Sequence, residues 1–310
     1  MAWMNQTLVT EFFVKGFSEA PHLQPLFFFF FLSLYTVALS GNIFTFVTIS
    51  FNSILHTPMY FFLVSLAVVD ILRTSTILPK VLENMADKKS ISYFGCMTQL
   101  YFLTWFLGAE LLLFTAMAYD RYVAICHPLH YTTMMSRKVY ILLAGSVWAI
   151  TAIGSSVQTG LMIQLTFCGP NKINHFLCEI PTLLLLSCTS TYLNNTMVVI
   201  ATIYFGGINF VLTMVSYGFI ISSILKIRTT EGKKKAFSTC SSHLIVVTIY
   251  YTTVIYTYIL PGSGYYPEKG KAVAVLYSTV SPAANPLIYT LRNKDVKQAL
   301  RKLLVSWFSF

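Results

Sequence analysis

Two acids, Asp70 and Glu110, stand near the middle of long apolar stretches of this 310-residue chain. An ionised carboxylate at mid-bilayer costs several kcal/mol unless it is paired or hydrated. Asn42 and Asn285 fall at matching depths in two further apolar stretches, so four helices can bring these four groups into one internal cluster. Two carboxylates in one site do not both ionise without a cation, which implies a shared proton or a bound internal Na⁺. A hydrogen-bond network that only holds helices together fits the same residues. Arg73 lies one helical turn from Asp70, close enough for local pairing. A second run with chemistry in it is Met117-Ala118-Tyr119-Asp120-Arg121-Tyr122. Adjacent Asp120 and Arg121 can hold each other at a membrane interface. An Arg held by a weak local partner can be released to a new one, which makes a switch rather than a stability feature. Tyr217, His243 and Tyr289 are further polar groups on the same side, and Pro282, then Asn285-Pro286, break the backbone bonding ahead of Tyr289. The chain has no phosphate loop, HExxH or nucleophile elbow, so an enzyme is not expected.

These groups need elements that hold them inside a membrane. The chain is 55% hydrophobic and only 10% charged, with 25 Phe and 19 Tyr, where an ordinary soluble domain carries about 25% charged residues. That excludes a disordered chain, a coiled coil and a small disulfide scaffold, and speaks against a soluble α/β enzyme. A bilayer-spanning helix needs ~20 mostly apolar residues. Seven stretches qualify: roughly Leu26–Ser50, Pro58–Leu82, Cys96–Tyr119, Val139–Met162, Met197–Leu225, Phe237–Leu260 and Ala272–Leu291. The expected fold is an all-α membrane protein, a seven-transmembrane helix bundle over residues 26–291, with a tail at 1–25 and a cytosolic segment at 292–310. In that last segment Val296, Ala299, Leu300, Leu303 and Leu304 recur at helical spacing with basic residues opposite. This predicts a short interfacial helix on anionic membrane lipid. The first 25 residues lack a basic n-region and an A-x-A site, so no cleaved signal peptide is expected.

The net charge of +10 is informative through its location. Thirteen basic residues fall on the side of Arg121, Lys233, Lys234, Lys235 and the C-terminus, and seven on the other. The excess places the C-terminus in the cytosol and the N-terminus outside. Segment by segment the balance is +10 inside, +1 outside and −1 within the membrane, where one base, Arg73, is counted against two acids, Asp70 and Glu110. It therefore does not argue for nucleic-acid binding. Asn5-Gln6-Thr7 is a glycosylation sequon on the outer side, and Asn194-Asn195-Thr196 is a second one close to a helix start. Cys96, Cys168, Cys178 and Cys188 also fall outside, where disulfides persist and four cysteines allow three pairings. Their ten-residue spacings do not suit a compact metal site. Cys126 and Cys240 fall on the cytosolic side.

Taken together, these residues resemble the odorant (olfactory) receptors, class II or tetrapod-type, of the rhodopsin-like G-protein-coupled family. The resemblance covers nearly the whole chain. It rests on Gly41-Asn42, Leu55 through Leu63 (LHTPMYFFL), Met117 through Cys126, Ser216-Tyr217, Lys235 through His243 (KAFSTCSSH) and Pro282 through Asn293. It implies a volatile small molecule entering between the outer halves of segments three, five, six and seven. Segment six would then swing outward at its cytosolic end and engage a heterotrimeric stimulatory G protein, raising cyclic AMP. It implies disulfides Cys96–Cys178 and Cys168–Cys188, and a plasma-membrane location. Asp120, Arg121, Tyr217, His243, Asn285, Pro286 and Tyr289 match the activation switch, and Asp70, Glu110 and Asn285 the internal ion site. Lys233 to Lys235 fit a G-protein-facing run, or equally a solvated basic loop.

By the same resemblance the ligand set is Leu103, Thr104, Leu107, Gly108, Thr202, Phe205, Tyr251, Val254, Tyr258 and Ser278, apolar with a few hydroxyls. That suits a small neutral odorant. No cofactor or metal is expected beyond an internal Na⁺. Glu179, beside Cys178, reads as a solvated or loop-ordering group, with the pocket mouth as the alternative. Two departures stand out. Tyr250-Tyr251-Thr252 replaces the family's Phe-Tyr-Gly, and Ala283-Ala284 stand where bulkier residues are usual. The alternative function is a secondary transporter with a proton- or Na⁺-binding acidic pair. It would need repeat-related halves and interrupted helices, and the sequence has neither.

Overall fold

The computed structural model describes residues 9–17, 21–86, 88–168, 171–258, 267–292 and 296–299. Seven long helices form one bundle. α1 is Gln24–Ser50, α2 Pro58–Met85, α3 Tyr93–Cys126 and α4 Arg137–Ile163. α5 is Tyr192–Lys226 and α6 is Thr230–Tyr258. α7 is built from Pro267–Val275, a π-helical turn Leu276–Val280 and Ser281–Arg292. α1 to α5 are each long and apolar enough to cross a membrane; α6 contains the shorter apolar stretch His243–Val254. Large side chains such as Phe29, Phe44, Leu142, Val211 and Phe219 point outward from the bundle. Apolar residues exposed in this number on α1, α4 and α5 fit hydrocarbon as the surrounding solvent.

The helices outrun the apolar stretches because hydropathy reads only the membrane-embedded part. The 34 residues of α3 rise about 51 Å, well beyond the ~30 Å hydrocarbon core. Its start is set by Ser92, whose Oγ accepts from Gly95 N–H at 3.1 Å. Proline stands at the start of α1 and α2, where no N–H partner is needed. Thr229 accepts from Gly232 N–H at 3.3 Å, so α6 begins at Thr230 rather than near Phe237. Lys233 and Lys234 therefore stand on a helix, not in the solvated loop that the sequence allows.

α3 is the central helix, packed against α2, α4, α5 and α6, while α1 packs on α2 and α7. Gly41 of α1 is placed by close approach: a Cβ there would lie 2.7 Å from Pro286 Cγ of α7. At the end of the bundle that carries the disulfides, the N-terminal segment is ordered into a sheet. β1 (Glu11–Val14) runs antiparallel to β2 (Ser90–Ser92) and parallel to β3 (Lys172–Ile173), in the order β2-β1-β3. The alternation of β1 buries Phe12 and Val14 and leaves Glu11 and Phe13 exposed. The Phe12 ring meets Phe167 edge-on at 5.5 Å. The sequence predicts only a tail here, because a four-residue strand carries too little pattern to stand out. Residues 296–299 are helical, with Val296 and Ala299 buried; the rest of the expected interfacial helix lies outside the described residues.

Candidate functional site

At the disulfide end, α3, α4 and α5 line a half-open cavity of about 270 Å³, with exposed Val157, Ile200 and Tyr204 on its rim. Thr104, Leu107 and Gly108 of α3 line it, with Thr202 and Phe205 of α5 and Val254 of α6. Leu103, Tyr251 and Ser278 do not. Leu103 packs into the helix core. The Tyr251 hydroxyl donates to Leu111 O at 3.3 Å. Ser278 shares a hydrogen bond with Thr279 at 3.1 Å. The Tyr258 side chain lies outside the described residues. The cavity is displaced toward α4, which contributes Thr151, Gly154, Ser155 and Gln158, none of them foreseen. The signal was present: Thr151, Ser155 and Thr159 recur every four residues and are all buried, the small-residue spacing that lets membrane helices approach. Gly108 and Gly154 make the room. A Cβ on Gly108 would lie 3.2 Å from Thr151, and one on Gly154 3.2 Å from the Phe205 ring.

The lining is apolar with few polar atoms. Thr104 and Ser155 share a hydrogen bond at 2.7 Å, and Ser155 also donates to Tyr101 O at 2.5 Å. Gln158 donates to Met197 O at 3.0 Å, tying α4 to α5. An apolar cavity of about 150 Å³ already accommodates benzene. Beside the cavity, α5 carries a π-helical stretch, Thr202–Ile208. There Asn209 Nδ2 donates to Tyr204 O at 2.9 Å, a side-chain bond within the wider turn.

The disulfides Cys96–Cys178 and Cys168–Cys188 are both formed, with Cα atoms 5.5 and 5.9 Å apart. They hold the long loop over this end. Cys178 N–H donates to Gln99 Oε1 at 3.0 Å, which fixes the loop to α3 a second time. Glu179 is not solvated: it is 2% exposed and accepts a hydrogen bond from the Tyr277 hydroxyl of α7. Burial pushes its carboxyl up to about 7, against the lowering effect of that bond. Nearby, burial and then the Lys271 charge push His175 down to about 3, so this ring is neutral. Asn194 is buried and donates to Met162 Sδ at 3.6 Å, so its sequon is not presented for a glycan. Asn5 lies outside the described residues.

Mid-bundle, Asp70 and Glu110 do converge. Asn285 Nδ2 donates to Asp70 Oδ2 at 2.9 Å and to Glu110 Oε1 at 3.3 Å, and Ser281 donates to Glu110 Oε1 at 3.4 Å. The expected fourth member, Asn42, is engaged elsewhere. It donates to Ala38 O at 2.8 Å and to Pro282 O at 2.9 Å. Pro282 O has lost its helical partner because Pro286, four residues on, has no N–H; Asn42 replaces that bond. In its place stands Arg73, fully buried and ion-paired with Glu110 through Nη1. Its Nη2 lies 3.7 Å from Asp70 Oδ1, and Nη1 donates to the Tyr250 hydroxyl of α6 at 2.9 Å. Local pairing with Asp70 was legible; the two longer-range partners were not. These residues do not suit an internal Na⁺, because a guanidinium already stands between the acids. Among the described residues, no group of three or more His, Cys, Asp or Glu is placed to hold a metal ion.

At the opposite end, Asp120 and Arg121 pair as their adjacency predicts, Arg121 Nε donating to Asp120 Oδ2 at 2.9 Å. Tyr131, which the sequence did not single out, donates to Asp120 Oδ1 at 2.7 Å. Tyr217 and His243 share a buried hydrogen bond between α5 and α6. The Tyr289 ring sits 6.2 Å from His243, its hydroxyl buried without a hydrogen-bond partner among the described residues.

The family model for olfactory receptors matches residues 31–306. The chain is 58% identical over 300 residues to Olfactory receptor 13A1 of Homo sapiens, across 96% of this chain and 92% of that one. It is 53% identical over 301 residues to Olfactory receptor 13G1 of Homo sapiens, covering 97% and 98%. To Olfactory receptor 8B3 of Mus musculus it is 45% identical over 308 residues, covering 98% and 96%. Seven bundled helices, the loop held by two disulfides and a match running through every helix lead to one conclusion: the chain belongs to the olfactory receptor family.

Proposed function

We propose that the protein is a plasma-membrane odorant receptor with its N-terminus outside. It binds a small, largely hydrophobic volatile molecule between α3, α4 and α5 and activates a stimulatory G protein, raising cyclic AMP. The observation that carries this reading is the apolar cavity of about 270 Å³ at the disulfide end of a family bundle. Area burial supplies most of the affinity there, and Thr104, Ser155 or Gln158 can turn one hydrogen bond toward a ligand. Thr202 and Phe205 place the ligand against the π-helical part of α5, a natural place for a small shift in that helix. At the other end, rearrangement of Arg121 away from Asp120, and of the contact between Tyr217 and His243, would open the cytosolic cleft as α6 moves. The basic residues at the start of α6 suit an anionic partner surface. Of the switch set, Pro286 removes a backbone donor inside α7, Asn285 ties that helix to both acids, and Tyr289 gives it a buried hydroxyl to re-pair. The test is cyclic AMP in cells carrying the receptor, challenged with a chemically broad odorant panel. The expected result is a response to one or more small hydrophobic members that disappears in Arg121→Ala at equal surface expression. A response that survives Arg121→Ala overturns the switch assignment. Silence to the whole panel at normal surface expression counts against the ligand class.

A further inference from the structure

We propose that Arg73 is the built-in cation of the Asp70–Glu110 pair: its guanidinium takes the place of an internal Na⁺ and, through Tyr250, ties α6 to α2 and α3. Arg73, Asp70 and Glu110 are all 0% exposed, and one guanidinium spans both acids. A guanidinium is planar, carries five donors and does not give up its proton in a protein, so its charge is permanent. Two acids against one guanidinium leave a charge of at most −1, and a single proton on either carboxylate removes it. A Na⁺ held by the same acids would sit a few ångströms from a like charge. At ~4 Å and an effective dielectric near 20, that repulsion removes about three decades of affinity. The neighbours agree with this assignment. Asn285 turns its N–H₂ group to both acids, and Ser281 turns its O–H to Glu110, so both act as donors to carboxylates.

The same side chain acts as a latch. Tyr250 stands where the family pattern has Phe, which has no hydroxyl to accept from Arg73. Here that hydroxyl is 2.9 Å from Nη1 and the Tyr250 ring centre is 5.7 Å from the guanidinium carbon. Any movement of α6 at this level breaks a buried, charge-assisted bond. Arg73 is thus a positioning residue that sets the resting place of α6.

The experiment is thermal unfolding of the purified full-length receptor in lipid nanodiscs, in NaCl against KCl at equal ionic strength, which needs neither an odorant nor a G protein. The native receptor is expected to unfold at the same temperature in both salts. A Na⁺-specific rise overturns the proposal. Arg73→Met, which frees both acids, is expected to gain a Na⁺-specific rise of several degrees; a folded Arg73→Met with no such rise also overturns it. Should Arg73→Met not fold, the charge-balanced pair Arg73→Met with Glu110→Gln serves for the latch. Tyr250→Phe is expected to lower the unfolding temperature by a few degrees in the native background and to change nothing in that pair. An equal drop in both backgrounds overturns the latch.

Discussion

Glu179 shows how one residue can carry a pH dependence. Its carboxyl, ordinarily near 4.5, is held near 7 by burial under the disulfide-bonded loop. The folded state therefore holds the proton more tightly than the unfolded chain. Its contribution to stability is complete below about pH 4.5 and is lost as pH rises through about 7. The shift corresponds to about 3 kcal/mol. His175, held near 3 where 6.5 is ordinary, works with the opposite sign, its contribution being lost as pH falls from about 6.5 toward 3. The two offset each other in the window they share, so the comparison with a variant is the informative one. Glu179→Gln is expected to gain on the native receptor by up to about 3 kcal/mol between pH 5 and pH 8, read as diverging unfolding temperatures. A constant difference would refute the assignment. At the other end, Tyr131→Phe removes the 2.7 Å bond to buried Asp120. A bond to a charged group contributes about 1.5–3 kcal/mol. The Asp120–Arg121 pair should loosen and basal cyclic AMP rise several-fold.

Among the elements, α1 and α7 are joined by a repair. Pro286 strands the Pro282 carbonyl, Asn42 restores its bond, and Gly41 lets the two helices approach closely enough for this. Asn42→Ala is expected to cost about 1–3 kcal/mol, the penalty of an unpaired buried carbonyl. Gly41→Val should cost at least as much, since its side chain would collide with the Pro286 ring. Thermal unfolding of the two variants checks both. Between α4 and α5 a glycine again sets the geometry. Gly154→Leu would push into the cavity wall formed by Phe205. It should reduce odorant potency at unchanged surface expression, in dose–response curves for any ligand found. A substitution of equal size at exposed Val157, on the rim of the same cavity, should do less.

For the molecule as a whole, the loop between α4 and α5 acts as a lid fixed at several points. Cys96–Cys178 closes a separation of 82 residues and Cys168–Cys188 one of 20. Removing a native bridge typically costs about 2–5 kcal/mol, somewhat more for the longer loop. Cys96→Ser should therefore lower surface expression more than Cys188→Ser, measured by labelling intact cells. The N-terminal strand β1 lies between β3 of this lid and β2 of the connection between α2 and α3, so the segment ahead of α1 belongs to the folded structure at this end.

The sequence by itself determined the number of spans, the uneven split of basic residues between the two sets of loops and the Asp120–Arg121 pair. Each of these is local: a run of apolar residues, a count of lysines and arginines, two neighbours in the chain. It also pointed to one cluster of Asp70, Glu110, Asn285 and Asn42, because charges in hydrocarbon must find partners and few are present. Only the tertiary structure decided which way each helix turns its faces. It put Asn42 on the Pro282 carbonyl rather than with the acids. It put Tyr250, 177 residues away in the chain, on Arg73. It moved the cavity toward α4, and it made a sheet of three short strands. Hydropathy reports the medium around a residue, not its neighbour. The rotation of a helix about its own axis is fixed by close packing, and here glycines 41, 108 and 154 set which backbones approach.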